Sequence, residues 1–191
     1  ATDVAATYGK WSVDADGNWT YQLDNGNKDV QALGDGKTLT DSFTVISEDG
    51  TATQTVTVTI NGTNDVPKIT GDTTGTVKED SLQFFATGKV TVSDVDTGES
   101  HTDAVFAAAS AHGFWHVDSG GSWVYVLNNL DSDVQKLGAG DTLTDSFTIK
   151  SQDGTASQDV TITIKGTNDI PLVFGDSKGS VTEDGTLTTT G

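Results

Sequence analysis

What most limits the fold of this chain is that its sequence is written twice. Gly62-Thr63-Asn64-Asp65-Val66-Pro67 returns as Gly166-Thr167-Asn168-Asp169-Ile170-Pro171, an offset of 104 residues, and these two motifs hold both prolines of the protein. The same offset lays Trp11 on Trp115, Trp19 on Trp123, Tyr21 on Tyr125, Phe43 on Phe147 and Glu79-Asp80 on Glu183-Asp184 without a gap. Such a period implies a domain-sized unit used in tandem. Proline confines itself and its predecessor to extended geometry, which suits a linker. The expected organisation is therefore residues 1–66 as the C-terminal part of one repeat, 67–170 as a complete repeat and 171–191 as the start of a third. An alternative phase puts the boundary near 88. Methionine is absent even at position 1, so the chain reads as a piece of a longer one.

Within each unit the periodicity is that of strands. Trp11 and Val13, then Trp19, Tyr21 and Leu23, alternate with polar residues around Asp14-Ala15-Asp16-Gly17, the pattern of a β-hairpin. Asp24 to Lys37 is a polar turn region interrupted by Val30 and Leu33. A strand follows with Leu39, Asp41, Phe43 and Val45 on one face, and after Glu48-Asp49-Gly50 a long strand points Val56, Val58 and Ile60 inward. The second unit adds strands at Gly75–Lys78, Lys89–Ser93 and Ala104–Ala109, then repeats the hairpin and the two long strands at 114–117, 122–127, 143–150 and 155–165. No stretch of useful length has a helical period. About seven short strands per repeat with turn signals between them predict an all-β chain of tandem Greek-key β-sandwiches.

Charge narrows the partners. Asp and Glu number 28 against 10 basic residues, all lysine, for a net charge of −18. Nothing here could neutralise phosphates, so nucleic acid is excluded as a partner, while a cation would relieve the self-repulsion. No apolar run of about 18 residues supports membrane insertion. Cysteine is absent, so disulfides and thiol chemistry are too. No histidine–serine constellation supports nucleophilic catalysis and no acidic pair is singled out for acid–base work, so an enzyme is not expected.

Gly9-x-Trp11-x-Val13-x-Ala15-Asp16-Gly17-Asn18-Trp19-Thr20-Tyr21, Leu39-Thr40-Asp41-Ser42-Phe43-Thr44-Val45, Val92-Ser93-Asp94-Val95-Asp96-Thr97-Gly98-Glu99 and Gly62-Thr63-Asn64-Asp65-x-Pro67 together resemble the VCBS repeat. That is a cadherin-like module of large bacterial surface adhesins exported by type I secretion and often linked to biofilms. The resemblance spans essentially the whole chain. It implies cadherin- or immunoglobulin-like sandwiches on the bacterial cell surface that hold an adhesive domain away from the cell and are stiffened by Ca²⁺. Some relatives resemble polysaccharide-binding proteins, which makes a calcium-dependent lectin the alternative function. The Gly-rich nonapeptide calcium repeat of RTX β-rolls is absent.

The acids agree with a calcium role. Ca²⁺ takes six to eight oxygens from carboxylates, amide carbonyls and water. Asn64-Asp65 offers two such groups at the junction, Asp94 and Asp96 project from one strand face, and Glu99 follows closely. The spacing from Asp65 to Asp96 resembles that of cadherins, and by that analogy Asp49 would reach the same ion. The analogous set at the second junction is Glu79 or Asp80, Asp153, Asn168 and Asp169, lacking its Asp-x-Asp, as the first junction lacks its preceding Glu. Asp14-x-Asp16-Gly17 looks like the opening of a calcium loop, but the second copy reads Asp118-Ser119-Gly120-Gly121, so a hairpin turn fits better. His112 and His116 make a conceivable zinc pair with no third ligand, against solvated strand histidines. The four tryptophans could stack on sugars, but their register with Val13, Tyr21, Val117 and Tyr125 places them in the core. Partners are then neighbouring repeats, a polysaccharide or cell surface, and, if sheet edges are left open, a strand exchanged between the ends of two molecules.

Overall fold

The computed structural model describes residues 1–185 and 188–190. The chain is nearly all-β. Its strands are β1 (Val4–Ala5), β2 (Gly9–Val13), β3 (Trp19–Leu23), β4 (Thr38–Ile46), β5 (Thr53–Asn61), β6 (Lys68–Gly71), β7 (Thr74–Lys78), β8 (Phe85–Ser93), β9 (Val105–Ala109), β10 (Gly113–Val117), β11 (Ser122–Leu127), β12 (Thr142–Lys150) and β13 (Ser157–Lys165). Among the described residues, strands pair only within 4–61 or within 68–165: β1-β2-β3 and β4-β5 on one side, β6-β8-β11-β10-β9 and β12-β13-β7 on the other.

In the second group β8 returns to lie beside β11 across the β9-β10-β11 meander, a Greek-key order. The core lies between the two sheets. One inner face supplies Ala86, Val90, Trp115, Val117, Trp123, Tyr125 and Leu127, and the other supplies Val77, Phe147, Ile149, Val160, Ile162 and Ile164. Period-two alternation produces this, since every second residue of β12 and β13 is buried. Burying each Ile or Phe in such a core stabilises by roughly 1.5–3 kcal/mol. Trp115 stacks on Phe147 at 4.7 Å, and Trp123 meets the same ring edge-on at 5.7 Å. Trp11, Trp19 and Phe43 repeat the arrangement at 4.4 and 5.7 Å.

Three details depart from the sequence pattern. The entering segment of the second unit is two strands rather than one: β6 pairs antiparallel with β8, and β7 pairs parallel with β13 in the opposite sheet. Gly71, at φ +128°, makes the switch; a Cβ there would sit 2.4 Å from the Lys89 carbonyl oxygen. Residues 4–5, silent in the sequence, pair with Lys10 and Trp11. The polar region before β4 contains a helical turn, α1 (Lys28–Gln31), capped by Asn27 and held by buried Val30. A single turn anchored by one apolar side chain has no periodicity to read. No helix among the described residues is long and apolar enough to cross a membrane.

Candidate metal centre between the two units

The Gly-Thr-Asn-Asp-x-Pro motif has a steric origin. A Cβ on Gly62 would lie 2.3 Å from the Leu33 carbonyl oxygen and 2.4 Å from that of Gly34; on Gly166 it would lie 2.3 Å from the Gly138 carbonyl oxygen. In both copies the loop before the long hairpin packs against the exit of the last strand, where only glycine fits. Pro67 is buried, and Asn64 and Asp65 are half-buried, whereas Asn168 and Asp169 are exposed.

Onto this exit the second unit brings the loop after β8. Asp65 N donates to Asp96 Oδ2 at 2.8 Å, and Asp96 N to Asp94 Oδ1 at 3.0 Å. Thr97 N donates to the Ala32 carbonyl at 3.1 Å, so the acidic loop is docked on the first unit through backbone. A Cβ on Gly34 would meet Glu99 Oε1 at 2.6 Å, which makes this loop a wall of the site. Asp153, from the turn between β12 and β13, completes it. Its Oδ2 accepts from Asn64 Nδ2 at 3.1 Å, and its carboxylate, with those of Asp94 and Glu99, offers oxygens all within 4.8 Å of one another. This is the one such cluster of metal-ligating side chains among the described residues.

Its electrostatics are unbalanced. Asp94 Oδ2, Asp96 Oδ1 and Glu99 Oε2 are each buried with no hydrogen-bond partner. Burial, then the charges of Asp96, Asp94 and Asp153, push the Glu99 carboxyl above its ordinary value, with Lys37 as the opposing cation. At Asp153 burial raises the carboxyl too, but hydrogen bonds from Ser151, Thr155 and Asn64 outweigh it and hold the group at about 2. One acid is thus held ionised and its neighbour resists ionisation. Unpaired buried carboxylate oxygens are costly, and a divalent cation is the ligand that satisfies several at once.

The remaining sequence-derived candidates fall elsewhere. Asp49 accepts from Ser47 and Thr51 within its own exposed turn, which pulls its carboxyl down to about 2. The nine residues of β5 separate that turn from Asn64, about 30 Å of strand, so Asp49 cannot share the ion; β13 likewise separates Asp153 from Asn168. The turn before a unit's last strand faces the unit before it, which is why Asp153 belongs to the first junction. At the second junction Glu79 is fully buried. Its Oε1 accepts from Thr167 N at 2.8 Å, and its Oε2 has no partner. Asp80 is exposed and held by Asn129, and Asn168 Nδ2 turns to the Asp169 carbonyl.

Asp14 caps its own hairpin turn by accepting from Asp16 N and Asn18 N. His112 is half-buried beside Asp131 at 3.3 Å and His116 is half-buried against Phe106, so neither is a freely solvated strand histidine. Trp115 and Trp123 are core residues, Trp11 is half-buried and Trp19 is 47% exposed. Sequence reading also passed over a buried polar node. Asp145 accepts from Tyr125 Oη and Ser110 Oγ at 2.7 Å each, and from His112 N and Ser146 N at 2.9 and 2.8 Å. Asp41 repeats it with Tyr21 Oη at 2.7 Å and Tyr8 N at 2.8 Å. The available signal was an acid written twice in an apolar register.

The profile described as "Bacterial cadherin-like domain" matches residues 1–62 and 64–166. Among curated proteins nothing matches. Solved structures similar to this chain include the protocadherin GammaB4 extracellular domain, 15% identical over 85% of this chain and 25% of that one, at a TM-score of 0.47. Mouse clustered PcdhgC3 EC1-3 is 13% identical over 82% and 50%, TM-score 0.43. The S-layer protein SbsC domains 4 and 5 are 19% identical over 85% and 92%, TM-score 0.32. The chain spans about a quarter of the length of the protocadherin ectodomain it matches. It belongs to the bacterial cadherin-like domain family.

Proposed function

We propose that this chain is a spacer segment of a VCBS-type adhesin, exported by type I secretion to the bacterial surface, where Ca²⁺ between consecutive sandwiches fixes their angle and lets the array support adhesion or biofilm formation. The observation that carries this reading is the set of buried, unpartnered carboxylate oxygens on Asp94, Asp96 and Glu99 beside Asp153, at the point where two units meet. Asp94, Asp96, Glu99 and Asp153 would hold the ion; a half-turn of the Asn64 amide would add its oxygen. Without the ion the acids repel and the joint opens; with it, both units are pulled onto one centre. The role is mechanical rather than catalytic. The units run 1–66, 67–170 and from 171 onward; a boundary near 88 would cut β8, in whose middle Gly88 lies. Glu79, Asp80, Asn168 and Asp169 would be the corresponding oxygen donors at the second junction. Small-angle scattering and thermal melting in chelator and in about 10 mM Ca²⁺ test the reading, since extracellular sites bind at about 10⁻⁴–10⁻³ M. Extension and melting temperature should both rise with calcium, and if neither moves the metal role fails.

A second reading, a calcium-dependent polysaccharide-binding module, draws on one surface. Phe85, Val126 and Phe114 lie side by side across the outer face of β8, β11 and β10, at 49%, 37% and 51% exposure. The first copy has Gln22 and Lys10 at the last two positions, so the fold does not require apolar residues there. Retention of a bacterial polysaccharide on a glycan array at millimolar calcium, lost in Phe114→Ala, would favour it; no retention would remove it.

A further inference from the structure

The five-stranded sheet of the second unit is apolar on the side it turns away from the core. Phe114, Val126 and Phe85 form one cross-strand row there, and His116 and Val124 form the next. Phe106, 88% exposed, extends the second row by meeting the His116 ring edge-on at 5.5 Å. The opposite sheet of the same unit has no such face: the outward residues of β12 are Thr142, Thr144, Ser146, Thr148 and Lys150. The first copy has none either, with Lys10, Ser12, Thr20 and Gln22 at the positions of Phe114, His116, Val124 and Val126. Neither the sandwich nor the hairpin therefore requires apolar residues on this face. The junction does not require them, since Lys10 and Gln22 stay exposed with the following unit in place.

Charge is distributed in the same sense. The chain carries 28 acids, yet none lies within β6, β8, β9, β10 or β11, whose only formal charges are Lys68 and Lys89. Beside the patch, Ala107 holds φ +54° where β9 bulges against β10, as Asp3 holds +49° at the same position of the first copy. Left-handed backbone is tolerated by Asp and disfavoured for Ala, so Ala107 keeps a carboxylate away from Phe106 at a conformational cost. The bulge also blunts the sheet edge, which leaves the face rather than the edge for association.

We propose that this face is a contact between two copies of the chain, packed sheet to sheet about a two-fold axis. Phe114 and Phe85 flank Val126 by one strand spacing each, about 4.8 Å. An axis along β11 therefore sets Val126 against its own equivalent and Phe114 over Phe85 of the second copy. A molecule with a net charge of −18 approaches another at least cost where acids are absent, and an acid-free sheet is matched to itself. Phenylalanines, which have no hydroxyl or indole N–H to bond sugar hydroxyls, suit a protein surface better than the polysaccharide of the second reading. Taking about 200 Å² for a whole aromatic side chain, the patch exposes on the order of 400–500 Å² per copy. Two such faces bury less than the about 1,200 Å² of a standard interface, so the pair is weak, with a dissociation constant on the order of 10⁻⁴ M. An isologous contact of this kind closes at two copies.

Sedimentation equilibrium of the full chain from about 1 μM to 1 mM, in chelator and at about 0.15 M salt to screen the net charge, tests this apart from the calcium reading. The mass should climb from 19.9 kDa towards twice that value and go no further. Phe114→Lys combined with Val126→Gln installs the residues that the first copy carries at the same hairpin positions. That double variant should leave the melting of a dilute sample unchanged and weaken association at least about tenfold. Thr144→Lys, on the outward side of the opposite sheet, should associate like the parent. Because the chain has no cysteine, Val126→Cys should oxidise to a covalent dimer faster than Thr144→Cys. A mass fixed at the monomer value, growth past two copies, a double variant that associates like the parent or equal oxidation at the two positions would each overturn the proposal. So would a chain that stays monomeric yet retains a bacterial polysaccharide through Phe114 and Val126.

Discussion

Replacing Asp94 by Asn changes one charge in the junction cluster and almost nothing else. The amide oxygen can keep the bond from Asp96 N that Oδ1 now accepts at 3.0 Å, while the buried, unpartnered Oδ2 becomes an NH₂ facing Glu99 and Asp153. In chelator this removes one like charge from a site whose oxygens lie within 4.8 Å of one another, so the variant should be as stable as the parent or more so. In calcium the order should invert. At about 10 mM ion and a dissociation constant of about 10⁻⁴–10⁻³ M, the parent gains roughly 1.4–2.7 kcal/mol, or about 3–11 °C for a chain of this size. The substituted amide offers one neutral oxygen, so the variant should forfeit most of that gain. Thermal melts of both chains in chelator and in calcium measure all four values. If Asp94→Asn is less stable than the parent in chelator by more than about 1 kcal/mol, the carboxylate is there for the protein and not for an ion. Equal calcium responses would refute the ligand assignment.

Tyr125→Phe removes a hydroxyl that donates to Asp145 at 2.7 Å in a fully buried setting and should cost about 1.5–3 kcal/mol in urea unfolding; Tyr21→Phe, half-buried, should cost less than half of that. Acid should act in two directions in chelator. Asp41 and Asp145, despite burial, are held below 3.8 by hydrogen bonds led by Tyr21 and Ser110 respectively, and Asp153 sits at about 2. Groups depressed in the fold stabilise it above about pH 4 and lose that contribution as pH falls towards 2. Glu99, raised above 4.5, acts oppositely: its ionisation opposes the fold as pH climbs past that value. Stability by calorimetry should therefore rise as pH drops from neutrality towards the point where Glu99 takes up its proton, then fall below about 4, and Glu99→Gln should abolish the first change. Gly88→Val should be among the most damaging single changes, because a Cβ there would lie 2.4 Å from the Trp123 ring; a loss below about 1 kcal/mol would mean that the indole can move aside.

The strands were legible because alternation and β-branching act locally, and the repeat because it is written in the residues. Sheet partnership was not. Nothing near Lys68–Gly71 announces a pairing with β8 in one sheet while Thr74–Lys78 joins β13 in the other; that depends on Gly71 and on strands far along the chain. The acidic cluster divides in the same way. Asn64, Asp65, Asp94, Asp96 and Glu99 lie within one stretch across the linker, and the fold brings Asn64 and the Asp94–Glu99 loop together. Asp153 lies 89 positions from the Asn64 it bonds, and only the direction of β13 tells which end of the sandwich its turn occupies.

The two copies separate what a hairpin needs from what a core needs. Trp11, Trp19, Tyr21, Asp41 and Phe43 adopt in the first copy the stacking and hydrogen bonds that Trp115, Trp123, Tyr125, Asp145 and Phe147 adopt in the second. Local packing is therefore set by these residues alone. Their burial is not, since Trp19 and Trp123 differ from 47% to 1% exposed with the same neighbours in the hairpin. What changes is β7 and β8, which arrive from the segment after the proline linker. In such an array each linker both positions the acids of a junction and delivers the strands that close the next core, so junction geometry and core completion depend on the same few residues. A substitution that misplaces Pro67 should then lower the stability of the second unit as well as loosen the joint, two effects that urea unfolding and scattering can separate.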